Sequence, residues 1–235
     1  MGQVSLILVI SLLFGVVVES IDFGSSSSES CEDDSHGHGG GGGGHGGGHG
    51  GGNSGGGGAN GGCPAGWRRF NRPNGGWCLK SFGGVLNQAA AEAQCKSYGG
   101  TLSGLQNLEE ARYATRTALP LLGRASGSLW VGAKRTRACT GQVITASCTG
   151  LNSFGWTDGS ATGTAGFVWS TKQPDNAHDK KQDCAILLAT RQSSLTVKNV
   201  VWAANTLDDV GCVTSAADTN PRAVAGYLCG KAASR

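Results

Sequence analysis

The chain has 235 residues, of which 42 are glycine and nine are cysteine, with 19 Lys plus Arg against 16 Asp plus Glu for a formal net charge of +3. So small an excess, with the basic residues scattered and not interleaved with aromatics, excludes the electrostatic footprint of a nucleic-acid binder. No Gly-x-Ser-x-Gly, no His-Glu-x-x-His and no phosphate-cradling glycine loop occurs, and the chain is read as a non-enzyme.

Residues 1–20 carry an apolar, uncharged run from Val4 to Val18. It is too short to span a bilayer comfortably and suits a secretory signal cleaved after Ser20, although no Lys or Arg precedes it; an uncleaved anchor is the alternative. No later run is apolar and long enough to cross a membrane, so a secreted, extracellular protein without a membrane span is expected. Nine cysteines in that oxidising compartment imply disulfides, and the absence of any Cys-x-x-Cys argues against a zinc ribbon or a redox dithiol.

Residues 21–62 read as a disordered linker. The first part is Ser-rich and acidic and carries Cys31. Of the 27 positions in 36–62, 19 are Gly and four are His (His36, His38, His45 and His49), so there is nothing to bury that would offset the entropy of ordering. A coil of that length has an r.m.s. reach of about 25–30 Å. The four histidines are read as part of a solvated spacer, with weak metal scavenging as the alternative. Cys31 is the odd cysteine; an inter-chain bridge giving a disulfide-linked dimer and a mixed disulfide are its two alternatives.

Residues 63–235 hold every Trp and suffice for one domain with a core. Asn87 is placed to cap a helix through Cys95 that Gly99-Gly100 ends, with Ala91 and Cys95 on one face. A second helix starts at Asn107, with Glu110 completing a capping-box pattern, and Pro120 ends it after Leu119. Residues 129–133, 184–189, 197–203 and 225–230 read as short strands. Residues 134–183 form a Gly/Thr/Ser-rich stretch too long to be structureless unless stapled or functional, and Cys139 and Cys148 lie where they could staple it. Two helices, short antiparallel strands and one long loop region make an α+β fold. Trp130, Trp169 and Trp202 are assigned to the core.

Gln173-Pro174-Asp175 lies before Cys184, and Cys184 is followed by Cys212 and Cys229; upstream come the helical Cys95 and the strand Trp130-Val131-Gly132-Ala133. Together these resemble the C-type lectin-like domain, in its longer form with an added amino-terminal hairpin, and most of all secreted invertebrate members with low-complexity leaders. The resemblance covers 63–235. It implies the pairings Cys95–Cys229, Cys184–Cys212 and Cys63–Cys78, leaving Cys139 with Cys148. It also implies a Ca²⁺ cofactor held by Gln173, Asp175, Gln182, Asp208 and Asp209, with Gln173, Asp175, Gln182 and Asp208 contacting a sugar. Two positions depart from the family pattern: Gln182 stands where Glu is usual, and Asp208 where Asn is usual. Three carboxylates and two amides still form an oxygen set of the kind Ca²⁺ takes, at the weak end, with Kd on the order of 10⁻⁴–10⁻³ M.

The resemblance further implies glycan or glycoprotein partners, of galactose type from Gln-Pro-Asp, in a role such as innate defence. The Trp that usually follows the tripeptide is missing; His178 or Trp202 is left to stack on the sugar. Domains of this fold also serve as protein-interaction or matrix modules without sugar binding, which is the alternative.

Overall fold

The computed structural model describes residues 61–234. The expected signal peptide, Cys31 and the four leader histidines lie outside the described residues.

Twelve regular elements follow one another: β1 Arg68–Arg72, β2 Gly75–Gly83, α1 Gln88–Ser97, β3 Thr101–Leu102, α2 Leu108–Ala118, β4 Ser126–Arg135, β5 Phe154–Trp156, β6 Cys184–Thr190, β7 Ser194–Val197, β8 Val200–Ala203, β9 Leu207–Val210 and β10 Val224–Ala232. The main sheet runs β1-β2-β10-β4-β6-β9, with β3 added to β10 and β5 to β4; β7 and β8 pair separately. Among the described strand pairs only β10–β4 is parallel, and an isolated parallel bridge joins Trp169 to Leu207.

The central strands are apolar on both sides because both faces of the sheet are covered. Successive side chains of a strand point to opposite faces. Leu129, Val131 and Ala133 of β4, Ala185, Leu187 and Ala189 of β6 and Leu228 of β10 pack with Ala111, Ala114 and Ala118 of α2. Trp130, Ile186, Tyr227 and Cys229 face the other way, onto Ala91 and Cys95 of α1. Gly132 interrupts the β4 alternation for steric reasons. A Cβ there would lie 2.1 Å from the Leu102 carbonyl oxygen, and its N–H donates to the Ser103 carbonyl at 2.7 Å.

The four bridges are Cys63–Cys78, Cys95–Cys229, Cys139–Cys148 and Cys184–Cys212. A buried polar cluster adds to them. Arg72 donates to Glu110 Oε1 and Oε2 at 2.9 and 2.7 Å and to Asp158 Oδ2 at 2.8 Å, tying β1, α2 and the turn at 158–161 together. Ion pairs out of water persist only when their remaining lone pairs are satisfied. Here Asp158 Oδ1 takes the amides of Ser160 and Ala161, and Glu110 Oε2 that of Gln106.

Several local expectations change. Asn107 caps α2 through the Glu110 amide, but Glu110 turns to Arg72 and Gln106 and does not close a capping box. Asn87 precedes α1 without a side-chain cap; its Oδ1 takes the Thr214 amide instead. The single strand expected at 197–203 is a hairpin. Lys198 and Asn199 both have positive φ and turn the chain between β7 and β8. The 134–183 stretch contains the end of β4, a 3-10 turn at Arg137–Cys139, β5 and a short helical turn at Ala177–Lys180, is otherwise turns and irregular chain, and is stapled by Cys139–Cys148.

Candidate functional site

The candidate site lies where the 170–183 loop meets β9 and the chain leading into β10. The Gln173–Pro174 peptide is cis, and Asn176, His178, Asp179 and Lys180 have positive φ, so the loop is left-handed at these four positions and not at Ala177. That conformation is unfavourable for residues with a Cβ, and a polar scaffold holds it. Asp175 Oδ1 accepts the Ala177 amide at 3.0 Å, Gln173 Oε1 accepts the Asp175 amide at 3.0 Å, and the Gln182 amide closes the turn on Asn176 Oδ1 at 2.9 Å. Asn176 is almost fully buried and donates its side-chain amide to the Gln142 carbonyl.

Asp208 and Asp209 are neighbours on β9, and the strand sends them apart. Asp208, opposite Ile186 in register, faces a groove of about 750 Å³. Asp209 has no solvent exposure and is not among the groove's lining residues. Its Oδ1 accepts the Asp175 amide at 3.0 Å and its Oδ2 the Asn176 amide at 2.9 Å, while Arg135 Nη2 donates to Oδ2 as well. Burial is the main influence on this carboxyl and pushes it up to about 6. The Asn176 and Asp175 amides and the Arg135 charge pull the other way, and the Asp175 charge adds to the rise. At neutral pH Asp209 is the buried anion on which the loop is hung.

Gln173, Asp175, Gln182 and Asp208 therefore line one groove, together with Trp202, His178 and Arg222. Gln182 donates its Nε2 to the Asp209 carbonyl at 2.7 Å, which leaves its Oε1 buried and without a partner. Trp202 Nε1 is likewise buried without an acceptor. Trp202 thus has the core-like burial assigned to it and is also a wall of the groove.

Arg222 was not foreseen from the sequence. It donates through Nη2 to Asp208 Oδ2, and its guanidinium stacks over the Trp202 ring, 3.2 Å from the centroid. Burial lowers its pKa to about 10, with the Asp175 charge opposing, so it is cationic at neutral pH. The signal in the sequence is the acid at 208 itself. Where the family pattern has a neutral Asn, a carboxylate facing a groove calls for a counter-charge.

Ca²⁺ requires six to eight oxygens, several of them free carboxylate oxygens. Here the oxygens of Asp209 are taken by two amides and Arg135, and Asp208 is paired with Arg222. Of the five expected ligands, only Gln182 offers a buried oxygen with no partner. Among the described residues no group of three or more His, Cys, Asp or Glu side chains is gathered to hold a metal ion. The set as arranged does not fit Ca²⁺.

The disulfide-braced sheet presents this groove on an irregular loop excursion. The family model for C-type lectin domain-containing protein 141/158 matches residues 68–232. The chain belongs to the C-type lectin domain family, whose members are generally non-enzymatic binding modules. No curated protein matches it in sequence. Among solved structures it is similar to cow CD23, whose carbohydrate-recognition domain is described in the presence of a GlcNAc2Man3 oligosaccharide (17% identity, covering 74% of this chain and 98% of that one, TM-score 0.47). It is also similar to a Ca²⁺-dependent type II antifreeze protein in its Ca²⁺-free form (18%, 72% and 99%, 0.46). A third similar structure is the Ca²⁺-independent C-type lectin SPL-2 from Saxidomus purpuratus (22%, 74% and 96%, 0.45). No helix among the described residues is long and apolar enough to cross a membrane.

Proposed function

We propose that the chain is a secreted lectin, a glycan-binding module and not an enzyme, whose ligand enters the groove lined by Gln173, Asp175, Gln182, Trp202, Asp208 and Arg222. The observation that carries the reading is the convergence of Gln173, Asp175, Gln182 and Asp208 on one groove beside Trp202 and Arg222. A sugar hydroxyl, which donates and accepts at once, can pair with the groove's carboxylates, amides and guanidinium. The groove's volume suits a small ligand, and its mix of amide, carboxylate and aromatic wall matches a saccharide's polar edge and apolar face. Gln173 and Asp175 put galactose-type sugars first among the ligands to test.

A glycan array probed with the full chain, in Ca²⁺ and in EDTA, tests the reading. Gln173→Ala removes one of the amides that line the groove. Loss of a buried hydrogen bond of about 1–3 kcal/mol corresponds to roughly 5- to 150-fold weaker binding. An array blank in both buffers, or a variant that binds as well as the parent, rejects it.

A second reading rests on a specific feature of the rim. Val200 and Val213 line the groove and are exposed, Val213 to 75%, as is the neighbouring Val201. Exposed apolar rims of this kind suit protein contact, and the blank array would favour that reading.

A further inference from the structure

We infer that Arg222 is the resident cation of this groove: its guanidinium holds the position a divalent ion would fill, so the site is assembled without Ca²⁺ and does not take it up. The claim concerns the ion and stands apart from the identity of the ligand.

Three observations converge on it. The first is charge. Arg222 is paired with Asp208, and the Asp175 charge acts on the same guanidinium. These are two of the three carboxylates that a Ca²⁺ site at this place would use. The third, Asp209, is neutralised on the far side of β9 by Arg135. A divalent ion entering beside a guanidinium already paired with Asp208 meets repulsion that the low dielectric of a partly buried groove strengthens.

The second is that the arginine is held in place. Its side chain lies on the Trp202 ring and is largely shielded from solvent. The chain around it is anchored at each step. The Arg222 amide donates to Asn220 Oδ1 at 2.9 Å, Arg124 Nη2 donates to the Asn220 carbonyl at 2.7 Å, and Ser126 Oγ donates to the Pro221 carbonyl at 2.9 Å. Ser128, on β4, donates its amide to the Ala223 carbonyl at 2.9 Å. Displacing Arg222 therefore means uncovering Trp202 and breaking an ion pair in a loop pinned to the sheet. A surface arginine would only have to swing into water.

The third is the residue pattern itself. Asp at 208 adds the negative charge that a neutral Asn would not, and the arginine that answers it comes from the same chain, 14 residues later. A planar guanidinium also presents several fixed N–H donors. It offers a ligand hydroxyl a hydrogen-bond donor where a metal would have offered a coordination position.

The full chain is titrated with CaCl₂ to about 20 mM by calorimetry, well above the range of weak extracellular Ca²⁺ sites. It is also melted in Ca²⁺ and in EDTA, and Tb³⁺ luminescence sensitised by tryptophan gives an independent readout of ion capture. The expected result is no saturable heat, the same Tm in both buffers and no sensitised emission. Arg222→Met keeps an aliphatic stem over Trp202 and removes the charge. It is expected to gain saturable Ca²⁺ binding through Asp175 and Asp208, with Kd on the order of 10⁻³ M because Asp209 stays paired with Arg135, and a Tm that rises in Ca²⁺. Saturable Ca²⁺ binding by the unaltered chain overturns the inference. So does a folded Arg222→Met that binds no Ca²⁺, because some other group would then be excluding the ion. If Arg222→Met does not fold, Arg222→Gln is read in the same way. If neither folds, the titration of the unaltered chain decides by itself. A glycan array that is blank in every buffer bears on the proposed ligand and leaves these ion measurements standing.

Discussion

Removing the Asp209 carboxylate tests whether the binding loop hangs on a buried ion pair or on a metal. In Asp209→Ala, the Arg135 side chain, about 1% exposed, loses its partner. Its remaining contacts are the Gln182 carbonyl at 3.0 Å, Asp183 at 3.5 Å and the Phe154 ring, 4.7 Å from the centroid, and the Asp183 side chain is 44% exposed. The amides of Asp175 and Asn176 lose their acceptors at the same time. Breaking a buried pair by removing one partner costs about 3–5 kcal/mol, and water admitted by the truncation recovers part of the loss at the two amides. Taking about 4 kcal/mol and about 2–4 °C per kcal/mol for a domain of this size, Tm falls by about 8–16 °C. The assay is thermal unfolding followed by circular dichroism with the disulfides intact, in EDTA. Hydrogen exchange at residues 175 and 176 should lose its protection in the same variant. The choice of buffer decides between the two roles, because deleting a metal ligand costs little when no metal is present, whereas deleting an ion-pair anchor costs the same with or without it. A drop below about 2 °C in EDTA would refute the assignment of Asp209 as the anchor of the loop.

Two further outcomes follow from the same geometry. Because burial raises the Asp209 carboxyl from 3.8 to about 6, the folded protein binds this proton more tightly than the unfolded chain does. Its stabilising contribution is complete below about pH 4 and is lost as pH rises through about 6, on the order of 3 kcal/mol in all. The Tm difference between the parent and Asp209→Asn should therefore shrink from pH 4 to 7; a difference that grows over that interval contradicts the burial argument. Among the disulfides, Cys95–Cys229 closes 134 residues and Cys139–Cys148 only nine. Loop entropy gives about 5 kcal/mol for the first and about 3 for the second, so urea midpoints of the two paired Cys→Ser variants should fall in that order, and the reverse order would reject a chain-entropy origin.

How much of this was legible in the sequence depended on whether a residue's environment was local. The helices were legible because their ends are set by neighbours: Asn107 accepting the Glu110 amide, and Gly99 at φ +73° closing α1. The central strands β4, β6 and β10 could be read because both of their faces are buried, which leaves an apolar run that no solvated segment would carry. The Arg-rich β1 and the acidic β9 hide their state. Arg72 and Asp209 look like solvated residues until Glu110, Asp158 and Arg135 arrive from 38, 86 and 74 positions away. The candidate site divides in the same way. The resemblance located Gln173, Asp175, Gln182 and Asp208, and these do share one groove. It gave no hint of the two arginines that answer the paired acids, because a counter-ion's identity is settled by which strands the sheet brings side by side. Asp208 and Asp209 are adjacent in the sequence and are neutralised on opposite faces of β9, one by Arg222 and the other by Arg135. That divergence follows from strand geometry once β9 is known to be a strand. A four-residue segment with two acids in it carries no signal strong enough to say so.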